Sequence, residues 1–112
     1  MACAAHTAGI ALGEHIAPLG VSFRDDHSLL IAERGAFRGP PNGHRVSTIR
    51  TDMSGYAPLV DGFINVSSGV SWGRPVDVQM APAGGAFFVS DDKSNSILRI
   101  ATAQGGRVDH VA

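Results

Sequence analysis

One cysteine, Cys3, one lysine, Lys93, one tryptophan and one tyrosine are all that the 112 residues hold of these types. A single thiol closes no internal disulfide and cannot found a cysteine-based zinc site. Neither sign of charge is in surplus: nine Lys and Arg stand against ten Asp and Glu, a net charge of −1. That balance supplies no field to draw in phosphate backbones or anionic lipid, so neither nucleic acid nor a membrane surface is expected as a partner. No apolar run approaches the ~18 residues of a spanning helix. The stretch MACAAHTAGIALG has no Lys or Arg, and Gly9, Gly13 and Glu14 interrupt it, so the chain as written is expected to carry no export signal. The five histidines are scattered, with no i, i+4 pair, and no metal site is expected from them. Asp91, Asp92, Lys93, Ser94 and Asn95 lack the glycine and closing Glu of a calcium loop and read as a turn. The pieces GGAFF and RGPPNG do not have the spacing of phosphate-cradling loops, and SSGVSWG contains no nucleophile elbow.

What is present describes a folding chain, since 44% of residues are hydrophobic and only 17% charged. Its length allows at most one small domain. Fourteen glycines and six prolines divide the apolar content into segments of four to seven residues, which favours strands over helices. The class is all-β. Pro18 drives Ala17 from the helical region, so His15 to Leu19 is expected to be extended. Gly20 to Phe23 (GVSF) reads as a strand, Arg24 to His27 as a turn and Ser28 to Glu33 (SLLIAE) as a buried strand, together a hairpin. Arg34 to His44 holds too many glycines and prolines for anything but a long loop. Arg45 to Arg50 (RVSTIR) is a third strand, and Tyr56 to Phe63 a fourth that Pro58 confines to an edge or a bulge.

The order then restarts. PVDVQMA, a PAGG turn, AFFVSD, a DKSN turn and SILRIA follow the loop Ile64 to Arg74, and Gly20 aligns with Asp77, 57 residues on. Repeats of four short strands at this spacing are the signature of β-propeller blades. The chain divides into a weakly specified lead (1–14), a first blade (15–63), a connecting loop (64–74) and a second blade (75–112). A closed propeller needs at least about four blades, so two cannot complete a ring. The expectation is part of a longer propeller, with self-association or missing blades covering the faces left open. Those faces are expected to carry Val21, Phe23 and Leu30 on the first blade and Phe88, Val89, Ile97 and Ile100 on the second.

Three motifs in this order, HIAPLGVSF (His15 to Phe23), LLIAERGAF (Leu29 to Phe37) and WGRPVDVQMAPAGGAFFVSDDKSNSILRI (Trp72 to Ile100), carry a further signal. They resemble the C-terminal end of the soluble pyrroloquinoline quinone (PQQ)-dependent glucose, aldose and sorbosone dehydrogenases, which are six-bladed propellers. In that family a histidine removes a proton from a sugar hydroxyl while hydride passes to the quinone, polarised by calcium. The catalytic histidine, the calcium loop and most sugar contacts lie upstream of the matched motifs. The resemblance therefore implies no catalytic residue and no metal ligand here, and PQQ as the cofactor. Sugar and calcium belong to a complete protein, and a periplasmic or secreted location goes with it.

Within the matched motifs Arg74 of WGRPVD falls where the family places a cofactor-binding arginine. Arg34 of ERGAF falls where it has a lysine or histidine at the cofactor, and His15 precedes APLG where a polar contact sits. PQQ bears three carboxylates, and the planar fork of a guanidinium pairs with a carboxylate through two parallel hydrogen bonds. The sorbosone-type branch shows His-Gly-Ser-Trp-Asn-Arg where this chain has Arg34, Gly35, Ala36, Phe37, Arg38 and Gly39, so the polar Ser and Asn are lost. The chain alone is expected to be inactive. The rival readings are a non-catalytic propeller module serving as a scaffold, a gene remnant, and a lactonase-type propeller, for which this stretch supplies no calcium site.

Overall fold

A computed structural model describes residues 9–36 and 42–101 in full and the backbone of 107–111; the middle of the expected long loop and the first eight residues of the lead lie outside the described residues. Eight strands follow in order: β1 (Pro18–Asp25), β2 (Ser28–Glu33), β3 (Arg45–Arg50), β4 (Ala57–Val60), β5 (Pro75–Met80), β6 (Ala86–Asp91), β7 (Ser96–Ala101) and β8 (Arg107–Val111). They form two four-stranded antiparallel sheets, β1-β2-β3-β4 and β5-β6-β7-β8. The fold is all-β, with the architecture of two consecutive propeller blades, and among the described residues no helix is long and apolar enough to cross a membrane.

Each turn follows from its residues. The carboxylate of Asp25 accepts from the His27 N–H at 2.8 Å and the Ser28 hydroxyl at 2.9 Å, and these bonds hold its pKa below the ordinary aspartate value. The turn is thus Asp26 and His27 alone, and β1 is longer than the GVSF core, running from Pro18 through Asp25. Between β5 and β6 the chain reverses on Gly84 and Gly85 in the left-handed region, at φ of 75° and 78°. The fourth strand is shorter than Tyr56 to Phe63. It keeps the edge place that Pro58 demands, beside a register slip between Val46 and Ser47. Phe63 has left the strand for the core.

The segment before β1 is not extended. His15 and Ala17 take φ of 60° and 50°, because the carbonyls of Ile16 and Ala17 turn to accept the N–H groups of Gly35 at 2.9 Å and Arg34 at 3.0 Å. Pro18 excludes the right-handed helical region, as its ring requires. The tertiary hydrogen bonds then select the left-handed region over the extended one.

The internal repeat keeps its register from the first strand of each sheet to the third. Pro18 opposes Glu33 and Pro75 opposes Asp91, and both pairings slip before the next residue, between Pro18 and Gly20 and between Pro75 and Asp77. Gly20 and Asp77 are therefore structural equivalents. The inner face of the first sheet, with Leu30, Ala32 and Val46, packs on Val78, Phe87, Val89, Leu98 and Ile100 of the second, and Phe63 completes this core. Leu30, Val89 and Ile100 are thus core residues, against expectation, while Val21, Phe23 and Ile97 are 57%, 67% and 47% exposed as expected and Phe88 is half-buried. β2 and the Phe87–Val89 run of β6 are apolar on both faces, so there alternation alone does not say which set meets the other sheet.

The sheets approach closest along β1, β2 and β5. At Gly20 a Cβ would lie 2.6 Å from the Asp77 Cα and 2.9 Å from the Val76 carbonyl oxygen, both backbone atoms that cannot swing aside. Gly20→Ala is expected to cost about 1–3 kcal/mol through forced separation of the strands. Urea denaturation measures this, and a neutral substitution would show that the approach is slack.

Candidate functional site

The start of β1, the end of β2, the start of β3, the start of β5 and the end of β6 all lie at one end of the sheets, and two of the three candidate cations meet there. Arg34 follows the last residue of β2. Its Nε donates to Asp92 Oδ2 at 3.1 Å, an ion pair with side-chain exposures of 28% and 43%. Arg74 precedes β5, is 3% exposed, and donates from Nη2 to the Gly35 carbonyl at 3.1 Å, tying the connection into β5 to the loop after β2. Burial lowers the pKa of Arg74 from its ordinary value, and the positive charge of Arg34 lowers it further against the opposing pull of Asp92 and Asp91. The guanidinium stays charged at neutral pH, as arginine does in proteins. Two cations, one after β2 and one in the connection before β5, thus share one patch with two carboxylates.

Asp91 is buried and ties its own turn to the connection before β5. Its Oδ1 accepts from the N–H groups of Lys93 and Ser94, both at 2.9 Å, and its Oδ2 accepts from the Arg74 N–H at 3.1 Å. The Asp91 to Asn95 stretch is therefore a turn organised by one carboxylate, as read from the sequence. His44, 4% exposed, has Nδ1 at 3.4 Å from the Gly73 carbonyl, which only an Nδ1–H can use as an acceptor. Gly35, at φ of 77°, leaves room for this ring, since a Cβ there would sit 2.3 Å from His44 Cδ2. His15 is exposed on the left-handed corner before β1, next to Ile16, whose carbonyl binds Gly35 N–H. No contact links it to Arg34 or Arg74 in the way that Asp92 and Gly35 link those two to their surroundings. Among the described residues no three His, Cys, Asp or Glu side chains converge as a metal would require.

Two groups were missed in the sequence. His44 offers no signal there, because its role depends on Gly73, 29 residues away. Glu33 does offer one: the repeat places it over Asp91 as the acid that closes the second strand of each sheet. Its buried carboxylate accepts from Arg45 Nε at 2.8 Å and from the hydroxyls of Ser47 and Tyr56, while Arg45 Nη2 donates to the Tyr56 oxygen at 3.0 Å. This network lies on the outer face of the first sheet and its polar atoms satisfy one another, so it reads as a structural element.

No protein-family model matches the chain, and no curated protein or solved structure does so either.

Proposed function

We propose that the chain is the C-terminal portion of a PQQ-dependent sugar dehydrogenase-like β-propeller, contributing a cationic cofactor contact and no acid/base catalyst. The observation that carries this reading is that Arg34 and Arg74, picked from two motifs 40 residues apart, come to the same end of the two sheets. Arg34 is the one that suits a carboxylate of the cofactor, because it is half-exposed and its present partner, Asp92, is the more exposed member of the pair. A PQQ carboxylate would take the place of Asp92 on the guanidinium. Arg74, buried and bonded to the Gly35 carbonyl, acts as a positioning residue that fixes the loop carrying Arg34 and adds positive potential beneath it. When bound, the quinone would supply the hydride acceptor; in the family the base lies upstream of the matched motifs.

A titration of the purified chain with PQQ, followed by fluorescence quenching and repeated with calcium, tests this. Binding that weakens at least about tenfold in Arg34→Ala is expected, a loss in line with one charge-assisted contact of ~1.4 kcal/mol or more. No binding, or binding indifferent to Arg34, would remove the cofactor reading. With PQQ and calcium supplied, glucose and sorbosone should not be turned over, since a positioned base is worth about 10²- to 10⁴-fold.

A second reading is a non-catalytic propeller module. It is favoured by the same geometry seen from the other side: Asp92 and the Gly35 carbonyl already engage both arginines, as they would if the patch served only to lock the two sheets together. Retention of fold without PQQ affinity would decide for it.

A further inference from the structure

The two sheets stack head to tail, so each face left open has a covered counterpart within the same chain. By register, Val21 and Phe23 on the outer face of the first sheet correspond to Val78 and Met80, which the first sheet covers. In the same way Leu30 and Val46, buried in the contact, correspond to Phe88 and Ile97 on the outer face of the second sheet. The chain thus exposes, on its two opposite sides, the two halves of a contact it already makes once.

We propose that copies of this chain associate head to tail, the outer face of the first sheet of one copy packing on the outer face of the second sheet of the next. Three further features fit a second copy. The strip left open on the outer face of the first sheet is β1, where Val21 and Phe23 are 57% and 67% exposed, and β1 is the equivalent of β5, the strand that makes the closest approach within the chain. Farther out on that face Ile31 and Ile49 are already buried and, with Val21 and with Ile10, Leu12 and Ile16 of the lead, line a hollow of about 280 Å³, so what the face leaves for a second copy is the β1 strip. On the second sheet a hollow of about 150 Å³ is bounded by Val78 and by Asp77, Gln79, Phe88, Ser90 and Ile97, the last five being the register equivalents of Gly20, Ser22, Leu30, Ala32 and Val46 on the covered face of the first sheet.

Of the equivalent positions at which the two sheets differ, the one at the closest approach sets the spacing. Asp77 stands where Gly20 makes its backbone approach, so its Cβ holds the contact between copies wider than the one within the chain. A heterologous contact either closes a ring or grows a filament. Propellers of about four to eight blades correspond to rings of about two to four copies.

Analytical ultracentrifugation of the full chain at micromolar concentrations tests the proposal, using three variants at exposed positions whose fold is checked by circular dichroism. The wild-type chain should associate into a discrete oligomer. Phe23→Asp and Ile97→Asp should each weaken association at least tenfold, and an equimolar mixture of the two should recover a 1:1 complex, because each variant keeps the face the other lacks. Asp77→Gly should tighten association by letting the contact close to its intrachain spacing. A monomer in both wild type and Asp77→Gly would overturn the proposal and leave another sheet as the occupant. Association that Ile97→Asp leaves untouched would overturn it in favour of a symmetric pairing of first sheets.

Discussion

Replacing Phe63 by alanine is expected to lower the unfolding free energy by about 3–5 kcal/mol, the range for deleting a buried phenylalanine from a core. Phe63 is fully buried, belongs to the cluster that joins the two sheets, and stacks on Trp72 with ring centroids 4.8 Å apart and planes 23° from parallel. Its Cδ1 lies 2.7 Å from where a Gly73 Cβ would be, so the ring rests on the backbone of the segment leading into β5. Deleting it opens a cavity at the splayed side of the wedge, and the backbone bond from Trp72 N–H to the Phe63 carbonyl, 3.0 Å long, resists collapse of the walls. At about 4–8 °C per kcal/mol for a chain of this size, the thermal midpoint should fall by at least ~12 °C. Phe63→Leu keeps most of the volume and should cost closer to about 1 kcal/mol. Equal midpoints for both variants and wild type would show that the two sheets are not held by this wedge.

Glu33→Ala is expected to cost about 3 kcal/mol, because three donors that converge on one buried carboxylate lose it together. The loss falls toward the lower end for a buried pair, since the Arg45 side chain is 27% exposed and water can reach it. Glu33→Gln retains the shape and an acceptor for Ser47 or Tyr56, and its loss should be smaller. Chemical denaturation of the two variants measures the difference, and an alanine variant as stable as wild type would mean that the network does no more than satisfy itself. The network also has a sign in pH. Burial, and then the bond to Glu33, raise the Tyr56 pKa above its ordinary 10.0. A group whose pKa is raised on folding contributes fully below its unfolded pKa and loses that contribution as pH rises through the folded one. Stability should therefore decline above about pH 10, and Tyr56→Phe should remove that part of the decline.

Much of the fold was legible in the chain alone because local chemistry determines it. Polar or Gly-rich turns between short apolar runs marked the hairpins, and Pro58 kept its strand at an edge since a proline has no N–H for a second neighbour. The repeat was visible because strand, turn and strand recur in the same order 57 residues on; the shared proline, slip and closing acid emerged only from the pairing. The arginines were legible only through their motifs. Nothing local distinguishes a surface Arg74 from one 3% exposed and bonded to a carbonyl 39 residues away.

Composition, turn chemistry and the spacing of the repeat thus determined by themselves that this protein is all-β, that it holds two sheets of one kind, and the places of seven strands, with β1 longer and β4 shorter than read and β8 unmarked. The tertiary structure decided which face of each sheet is core. A blade is apolar on both faces, so Leu30 and Val21 carry the same sequence signal, and only the stacking order buries one and exposes the other. It also decided the left-handed corner at His15 and Ala17, the meeting of Arg34 with Asp92, and the gathering of Arg45, Ser47 and Tyr56 around Glu33. Each of these depends on partners brought together from distant parts of the chain. Local preference limits the conformations such residues can adopt, and the long-range contact selects among them.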